Sequence, residues 1–488
     1  MVVLASVFFV AGAFRLYYIK APGFSIDREY TSAIFARSFY YKGLQSVEQW
    51  QIEIANATRQ NQPILEPPIT AYLVSLIYRV IRSETLWVSH LLTSAFWLIG
   101  GFFLYRIGRL VVSTDAAVFA TAYYLFAPLG LHLSRSFQPE SLMMMLFLIS
   151  LYRLIIYFEK QSLFNLILAG GISGVTVLYR PMVIFALLGV FAFLAIHRGN
   201  GWKSYLEKNN ILFLILSLSP SFIYYGYGLF IAGYLRWWIG FGFLPHLYLR
   251  LEYWEGWLFL AVSAVGYMGL IGALFGLPKF RKGLPGALMA GLWLGYLIFG
   301  LVFSVHIHTH GYYHAQLIPI AALSLSPIID LIANYLRKFL NKWYWGIPLA
   351  IAVLLIAIVN FRNYRDGINY RVFDIRPKAQ EIGEIIQHST RTVFAAYYYG
   401  LPLQYYGEFT GAIWPRKINY WLYQRPGDRE LSVDERLNSI GFLPEYFVVT
   451  NYPEFDRHHT DLKDFLQQRC ELISEKGTKY LIYGDCRY

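Results

Sequence analysis

The stretch LPGALMAGLWLGYLIFGLVFSV, Leu284–Val305, carries no charged residue along its whole length. An α-helix rises 1.5 Å per residue, so about 20 apolar residues cross the ~30 Å hydrocarbon core of a bilayer. Asn210–Tyr234 and Trp257–Leu277 are equally free of charge. Lipid offers the backbone no hydrogen-bond partner, so only helices or closed barrels can span it. Runs of this length read as helices. The chain is therefore read as a polytopic α-helical membrane protein.

The composition agrees. Of 488 residues, 56% are hydrophobic and only 15% charged, where soluble domains carry about a quarter charged. Aromatic residues make up 18%, with 40 Tyr, 37 Phe and 13 Trp, a supply of ring anchors for the membrane interface. The formal net charge of +12 points to cytoplasmic loops and contact with anionic membrane lipids. No nucleic-acid motif accompanies it, and no nucleic-acid partner is expected. The N-terminal apolar run lacks a basic leader and a small-residue cleavage site, so it is expected to stay as a first helix.

Eleven spans are expected: 1–19, 86–106, 115–133, 139–158, 163–180, 182–198, 210–234, 257–277, 284–305, 313–335 and 343–361. The most basic connections are Arg106/Arg109, Arg198 through Lys208, Lys279/Arg281/Lys282, and Arg337/Lys338/Lys342. The positive-inside rule places all four in the cytoplasm, and eleven spans do put them on one side. Segment 68–82 is apolar but short. It is read as an interfacial or re-entrant helix, because a twelfth span would break this parity. The outer face then receives a long first loop (20–85), Ser134–Glu140, Arg180-Pro181, 235–256, Val305–His314 and everything after about Phe361. Most uncommon polar residues of the membrane part gather there.

Residues 1–361 are thus expected to form a transmembrane domain, and 362–488 a small soluble α/β domain on the outer side. In the latter, Ile375–Gln387 and Asp461–Gln468 pattern as helices, and Thr392–Tyr397, Tyr446–Thr450 and Lys479–Tyr483 as strands. Cys470 and Cys486 flank an expected hairpin. They can form a disulfide in an oxidising location or remain two structural thiols.

Several motifs carry possible chemistry. Asp27 and Glu29 lie in Phe24-Ser25-Ile26-Asp27-Arg28-Glu29-Tyr30, just after the first apolar run. Carboxylates so near a membrane are costly unless they meet water or do chemistry. Pro67-Pro68-Ile69 closes the first loop. Ser134-Arg135-Ser136-Phe137-Gln138-Pro139-Glu140, the Gly-rich run ending in Tyr179-Arg180-Pro181, and His310-Gly311-Tyr312-Tyr313-His314 through Pro319 follow in order. In order and sidedness these motifs resemble the GT-C membrane glycosyltransferases, and within them the dolichyl-phosphate-mannose mannosyltransferase-like and aminoarabinose-transferase-like enzymes. Pro139-Glu140 departs from the usual Pro-Asp ending.

The resemblance implies transfer of a monosaccharide, hexosyl or pentosyl and with inversion, from a polyprenyl-phosphate donor. The acceptor would be a lipid, a glycan or a protein, on the extracytoplasmic face of the cell membrane. It makes Asp27 the catalytic carboxylate, with Glu29 orienting the acceptor or nearby cations. A carboxylate suits deprotonation of an acceptor hydroxyl or amine, and Arg suits the developing phosphate charge. Arg180 is the first phosphate candidate and Arg135 the second, with snorkelling at a helix end as the plain alternative. His310 and His314 belong to the family-like element and are expected near the donor phosphate. Glu140, Tyr312, Tyr313 and Arg250 are expected to contact substrate, Glu140 either by binding a sugar hydroxyl or by pairing with Arg180 or Arg135 instead, and Arg250 from an aromatic and cationic loop that would also serve as an interfacial belt. Four of the 11 histidines fall within His306–His314. His306 and His308 are weak metal candidates beside the i, i+4 pair His310/His314. No cofactor is required, with a divalent metal the one open addition.

A polyprenyl-linked glycan ligase would use similar outer cations, but the position of Asp27 and Glu29 argues against it. A lipid or glycan transporter (flippase) should show an internal repeat and midplane charges. No repeat is visible, and the notable charges lie at span ends.

Overall fold

A computed structural model of the protein describes residues 2–17, 19–20, 27–199, 201–236, 243–280, 282–339, 346–371, 375–417, 431–477 and 479–488. Parts of the acidic motif (24–26), of the aromatic loop (237–242) and of the last expected span (343–345) lie outside these residues. The chain divides into two compact units. One comprises Met1–Lys20, Ile64–Thr70 and Trp87–Tyr370. The other comprises Ala21–Pro63, Ala71–Leu86 and Arg371–Tyr488.

The first unit is helical. Among the described residues, six helices are long and apolar enough to cross a bilayer: Leu86–Val111, Glu140–Lys160, Pro181–Arg198, Lys208–Ile231, Gly283–Val302 and Gly311–Phe339. A seventh span arises if the bent pair Leu251–Val265 and Tyr267–Lys279 counts as one. Shorter apolar helices are Val2–Leu16, Ile69–Ile81, Leu163–Tyr179 and Val353–Asn363. Two expected spans are not straight. Residues 115–133 break into Thr114–Phe126 and Pro128–Leu133, because Pro128 has no N–H for the first helix and suits the first position of the next. Residues 257–277 bend by 94° at Gly266, whose φ of +77° with ψ of 154° belongs to glycine almost alone.

Small residues decide which helices pair. In lipid, association rests on close packing. Ile184–Arg198 packs along Gly283–Val302, and a Cβ on Gly291 would sit 2.5 Å from Val190 Cα. Leu163–Tyr179 packs along Lys208–Gly226, where a Cβ on Gly174 would lie 2.4 Å from the Leu216 carbonyl oxygen. That second pairing fixes the helix that ends at Arg180.

The second unit contains a five-stranded sheet in the order β2-β1-β3-β5-β4. The strands are β1 Thr392–Ala395, β2 Gly411–Ile413, β3 Tyr446–Val449, β4 Glu471–Glu475 and β5 Leu481–Gly484. β1 runs parallel to β2 and β3, and β5 runs antiparallel to β3 and β4. Alternate side chains point to opposite faces, so both faces are apolar. Val393, Phe447, Val449 and Leu481 pack with Leu437, Phe455 and Phe465. Phe394, Val448 and Ile482 pack with Ile382, Leu403 and Phe409. Cys470 and Cys486 are disulfide-bonded and tie the ends of the β4–β5 pair. The helices Asp27–Tyr41 and Gln49–Gln60 pack together, and Asp27–Tyr41 also packs on Leu401–Gly407.

Candidate active site

Each unit holds a polar cluster that contains sequence-selected residues. In the first unit, Arg180 caps the C-terminus of Leu163–Tyr179 in extended conformation, ahead of a short turn begun by Pro181. Its side chain is 3% exposed. One terminal nitrogen donates to Glu66 and the other to Glu140. Glu140 opens the helix Glu140–Lys160 and is itself 1% exposed. A buried carboxylate at a helix N-terminus gains from the unpaired N–H groups there. Beside it, the Tyr179 hydroxyl meets the Thr70 hydroxyl at 2.5 Å. The phenols of Tyr312 and Tyr313 lie within electrostatic reach of Arg180.

The structure thus brings together Arg180, Glu140, Tyr312 and Tyr313. It also adds Glu66, which sequence reading passed over although it directly precedes the noted Pro67-Pro68. The expectation for Arg180 changes in one respect. It is not an open cation waiting for phosphate, because its guanidinium fork already bridges two carboxylates.

Arg135 is buried, and its carbonyl accepts a hydrogen bond from His90 Nδ1. His314 is fully buried. Its Nε2 donates to the Ile307 carbonyl (2.8 Å), and its Nδ1 therefore accepts from the Tyr296 hydroxyl (2.7 Å). Tyr296 in turn accepts from Trp257 Nε1 at 3.0 Å. Both ring nitrogens of His314 are thus engaged by neighbouring groups of the fold. His310 is half-buried and its Nδ1 meets the Thr309 hydroxyl at 2.6 Å. His308 donates from Nδ1 to the Ser304 carbonyl at 2.7 Å. His306 lies beside Tyr313, with ring centroids 5.1 Å apart and the planes tilted by 53°. Among the described residues, no group of three or more His, Cys, Asp or Glu is arranged to hold a metal ion, and the spacing of His306 and His308 gains no such partners. Arg250 is exposed and precedes the helix Leu251–Val265.

In the second unit, Asp27 and Glu29 occupy the first turn of Asp27–Tyr41. Residues two apart on a helix do not face each other. Glu29 is 2% exposed whereas Asp27 is half-buried, so the two carboxylates do not act as a facing pair. Asp27 Oδ1 accepts from the Arg28 N–H at 2.8 Å. Of the two, Asp27 is the carboxylate that solvent or substrate reaches.

Three comparisons bear on this arrangement. The dolichyl-phosphate-mannose-protein mannosyltransferase family matches residues 65–225, the segment that holds Glu66, Arg135, Glu140 and Arg180. No curated protein matches the sequence. ArnT from Cupriavidus metallidurans, solved bound to undecaprenyl phosphate and in the apo state, is 13% identical with a TM-score of 0.60, over 98% of this chain and 97% of that one. The apo oligosaccharyltransferase from Archaeoglobus fulgidus is 13% identical with a TM-score of 0.57, over 91% of this chain and 69% of that one. At such identity the likeness is one of fold. The chain is accordingly a membrane protein with the fold of the GT-C glycosyltransferases, and its residues 65–225 carry the sequence pattern of the dolichyl-phosphate-mannose-protein mannosyltransferases.

Proposed function

We propose that the protein transfers one monosaccharide from a polyprenyl-phosphate donor to an acceptor hydroxyl or amine on the extracytoplasmic face of the cell membrane. The supporting observation is the likeness to ArnT across nearly the whole of both chains, since that relative holds undecaprenyl phosphate. In this reading the acceptor oxygen or nitrogen attacks the anomeric carbon from the face opposite the phosphate. The bond from that carbon to the phosphate oxygen breaks, and polyprenyl phosphate leaves with the electron pair. The acceptor proton passes to Asp27, and the configuration inverts.

A phosphate leaving group needs its charge met as it forms. Arg135 and Arg180 are assigned to it, Arg180 by releasing one of its two carboxylates to the incoming phosphate. Glu140 and Glu66 hold that guanidinium in place until then, with the phenols of Tyr312 and Tyr313 within electrostatic reach. Eleven spans are assigned to the chain, with residues 362–488 outside. The test is to incubate purified protein with a panel of polyprenyl-phosphate sugars and candidate acceptors. Acceptor-dependent turnover of one donor is expected, and no turnover of any would overturn the reading.

A further inference from the structure

The sequence period of one helix leads from Asp27 to a buried ion pair. Asp27, Tyr30, Ile34, Arg37 and Tyr41 are spaced 3, 4, 3 and 4 residues apart, which puts them on one face of Asp27–Tyr41. That face is docked. Tyr30 and Ile34 are each 3% exposed. The Tyr30 ring lies 6.0 Å from Tyr405 and 5.9 Å from Tyr406, both edge to face. One helical turn beyond Ile34, Arg37 Nε donates to both oxygens of Glu84 at 2.9 and 3.0 Å. Its terminal nitrogen donates to the Tyr405 carbonyl, and its guanidinium sits 3.8 Å over the Tyr405 ring. The Tyr405 hydroxyl closes the triangle by donating to Glu84.

The Arg37 and Glu84 side chains are only 14% and 13% exposed. The neighbouring Glu84 outweighs the burial that disfavours charge on Arg37, and the Tyr405 phenol is pushed well up by burial and by Glu84. A buried ion pair adds little net stability compared with apolar packing, and its best-attested use is to fix one register. Here a guanidinium fork, a carboxylate and a ring must all meet, and only one rotation of the helix allows it. Separately, Arg79 donates at 2.7 Å to each of the carbonyls of Phe39 and Lys42, which holds the other end of the helix.

We infer that Arg37 is a positioning residue for Asp27: through Glu84 and Tyr405 it fixes the rotation of helix Asp27–Tyr41 on the sheet-containing module, and so sets where the Asp27 carboxylate points. Ten residues at 1.5 Å each put Arg37 about 15 Å from Asp27, too far for direct chemistry. The proposal rests on the reading of Asp27 as the base. It makes the module after Arg371 part of the catalytic apparatus, because the residue that orients the base is clamped by Tyr405.

The test uses full-length protein in nanodiscs with whichever donor the panel selects. Arg37→Met, Arg37→Lys and Tyr405→Phe are compared with wild type, and Arg37→Met is also made in the Asp27→Asn background. Arg37→Met is expected to lower kcat at least about tenfold, as small misplacements of a reacting group do, while donor KM stays within about twofold. Arg37→Lys should fall between the two. In the Asp27→Asn background the Arg37 change should have no further effect on residual turnover, because its route of action is already gone. An equal loss in both backgrounds, or an unchanged kcat, overturns the proposal. If Arg37→Met does not fold, Tyr405→Phe decides: faster amide exchange in residues 31–41 with unchanged exchange in β1 and β3 supports it, and unchanged exchange in 31–41 overturns it. Full turnover by Asp27→Asn alone would overturn the base assignment instead, a result that needs no change at Arg37.

Discussion

Removing Arg180 should unsettle the fold before it affects any substrate. The guanidinium is 3% exposed, Glu140 1% and Glu66 15%. In Arg180→Ala, the buried Glu140 loses its bridge to that guanidinium with almost no water to replace it, whereas the more exposed Glu66 recovers some water. Breaking a buried pair by deleting one partner costs about 3–5 kcal/mol. At 1.4 kcal/mol per tenfold, that is a loss of roughly 100-fold to 4,000-fold in the folded-to-unfolded ratio. Lys at this position keeps the charge but cannot fork to two carboxylates, so Arg180→Lys should lose about 1–3 kcal/mol. Adding Glu140→Gln to Arg180→Ala should restore part of the loss, since it removes the worst-placed charge. The assay is chemical unfolding in detergent micelles, followed by tryptophan fluorescence. If Arg180→Ala stays within about 0.5 kcal/mol of wild type, as ordinary surface changes do, the two-carboxylate bridge is not a structural element and the reasoning fails.

Three further outcomes are expected. With Cys470 and Cys486 replaced by Ser, a cysteine at Asp434 should label from outside intact cells while one at Lys203 should not; the reverse pattern would overturn the proposed sidedness. Gly291→Ala should strongly destabilise the protein, because its Cβ would meet the Val190 backbone, whereas Gly171→Ala should not, since a Cβ there meets nothing within 4 Å; equal melting temperatures in detergent would contradict the close helix pairing. The sheet-containing module should weaken in acid. Burial holds His459 below its ordinary value of 6.5. Glu454 is held below its ordinary 4.5: burial raises it, but the hydrogen bonds from Arg416 and the Lys417 N–H outweigh that. For His459 the unfolded chain takes up protons first, so stability is full above about pH 6.5 and is lost as pH falls below that toward its folded value. The Glu454 contribution is present above about pH 4.5 and is lost as pH falls through its lowered value. Unfolding curves that do not shift between pH 7 and 4 would contradict this.

The helical class was legible because charge-free runs such as Leu284–Val305 admit no other structure in lipid. The interruptions were harder to read. Pro128 sits in an unbroken apolar run, and nothing in hydropathy separates a helix that ends there from one that kinks. Gly266 is one of many glycines in apolar sequence, and only its backbone angles mark the bend. Gly170 and Gly174, four apart, carried a packing signal beyond the Gly-rich pattern already noted, and so did Gly291 and Gly295. In the second unit, strands rich in Val, Phe and Ile were readable at Thr392–Ala395 and Tyr446–Val449. Gly411–Ile413 was not, since three residues opening on glycine show no alternation. At the candidate site, the pairing of Glu140 with an Arg was one of the readings its motif offered, but nothing local chose Arg180 over Arg135 across 40 residues of sequence. Glu66 was findable as a carboxylate held directly before a rigid Pro-Pro pair. Asp27 and Glu29 looked like a pair only because sequence distance is not angular distance on a helix.

The most direct test of the account is acceptor-dependent release of free polyprenyl phosphate from a labelled polyprenyl-phosphate sugar, measured side by side for wild type and Asp27→Asn. Wild type should release the lipid phosphate in step with glycosylated acceptor. The variant should remain folded and fall by about 10²- to 10⁴-fold, the usual loss for a missing general base. Release that needs no acceptor, or an Asp27→Asn variant retaining more than about a tenth of wild-type turnover, would contradict it.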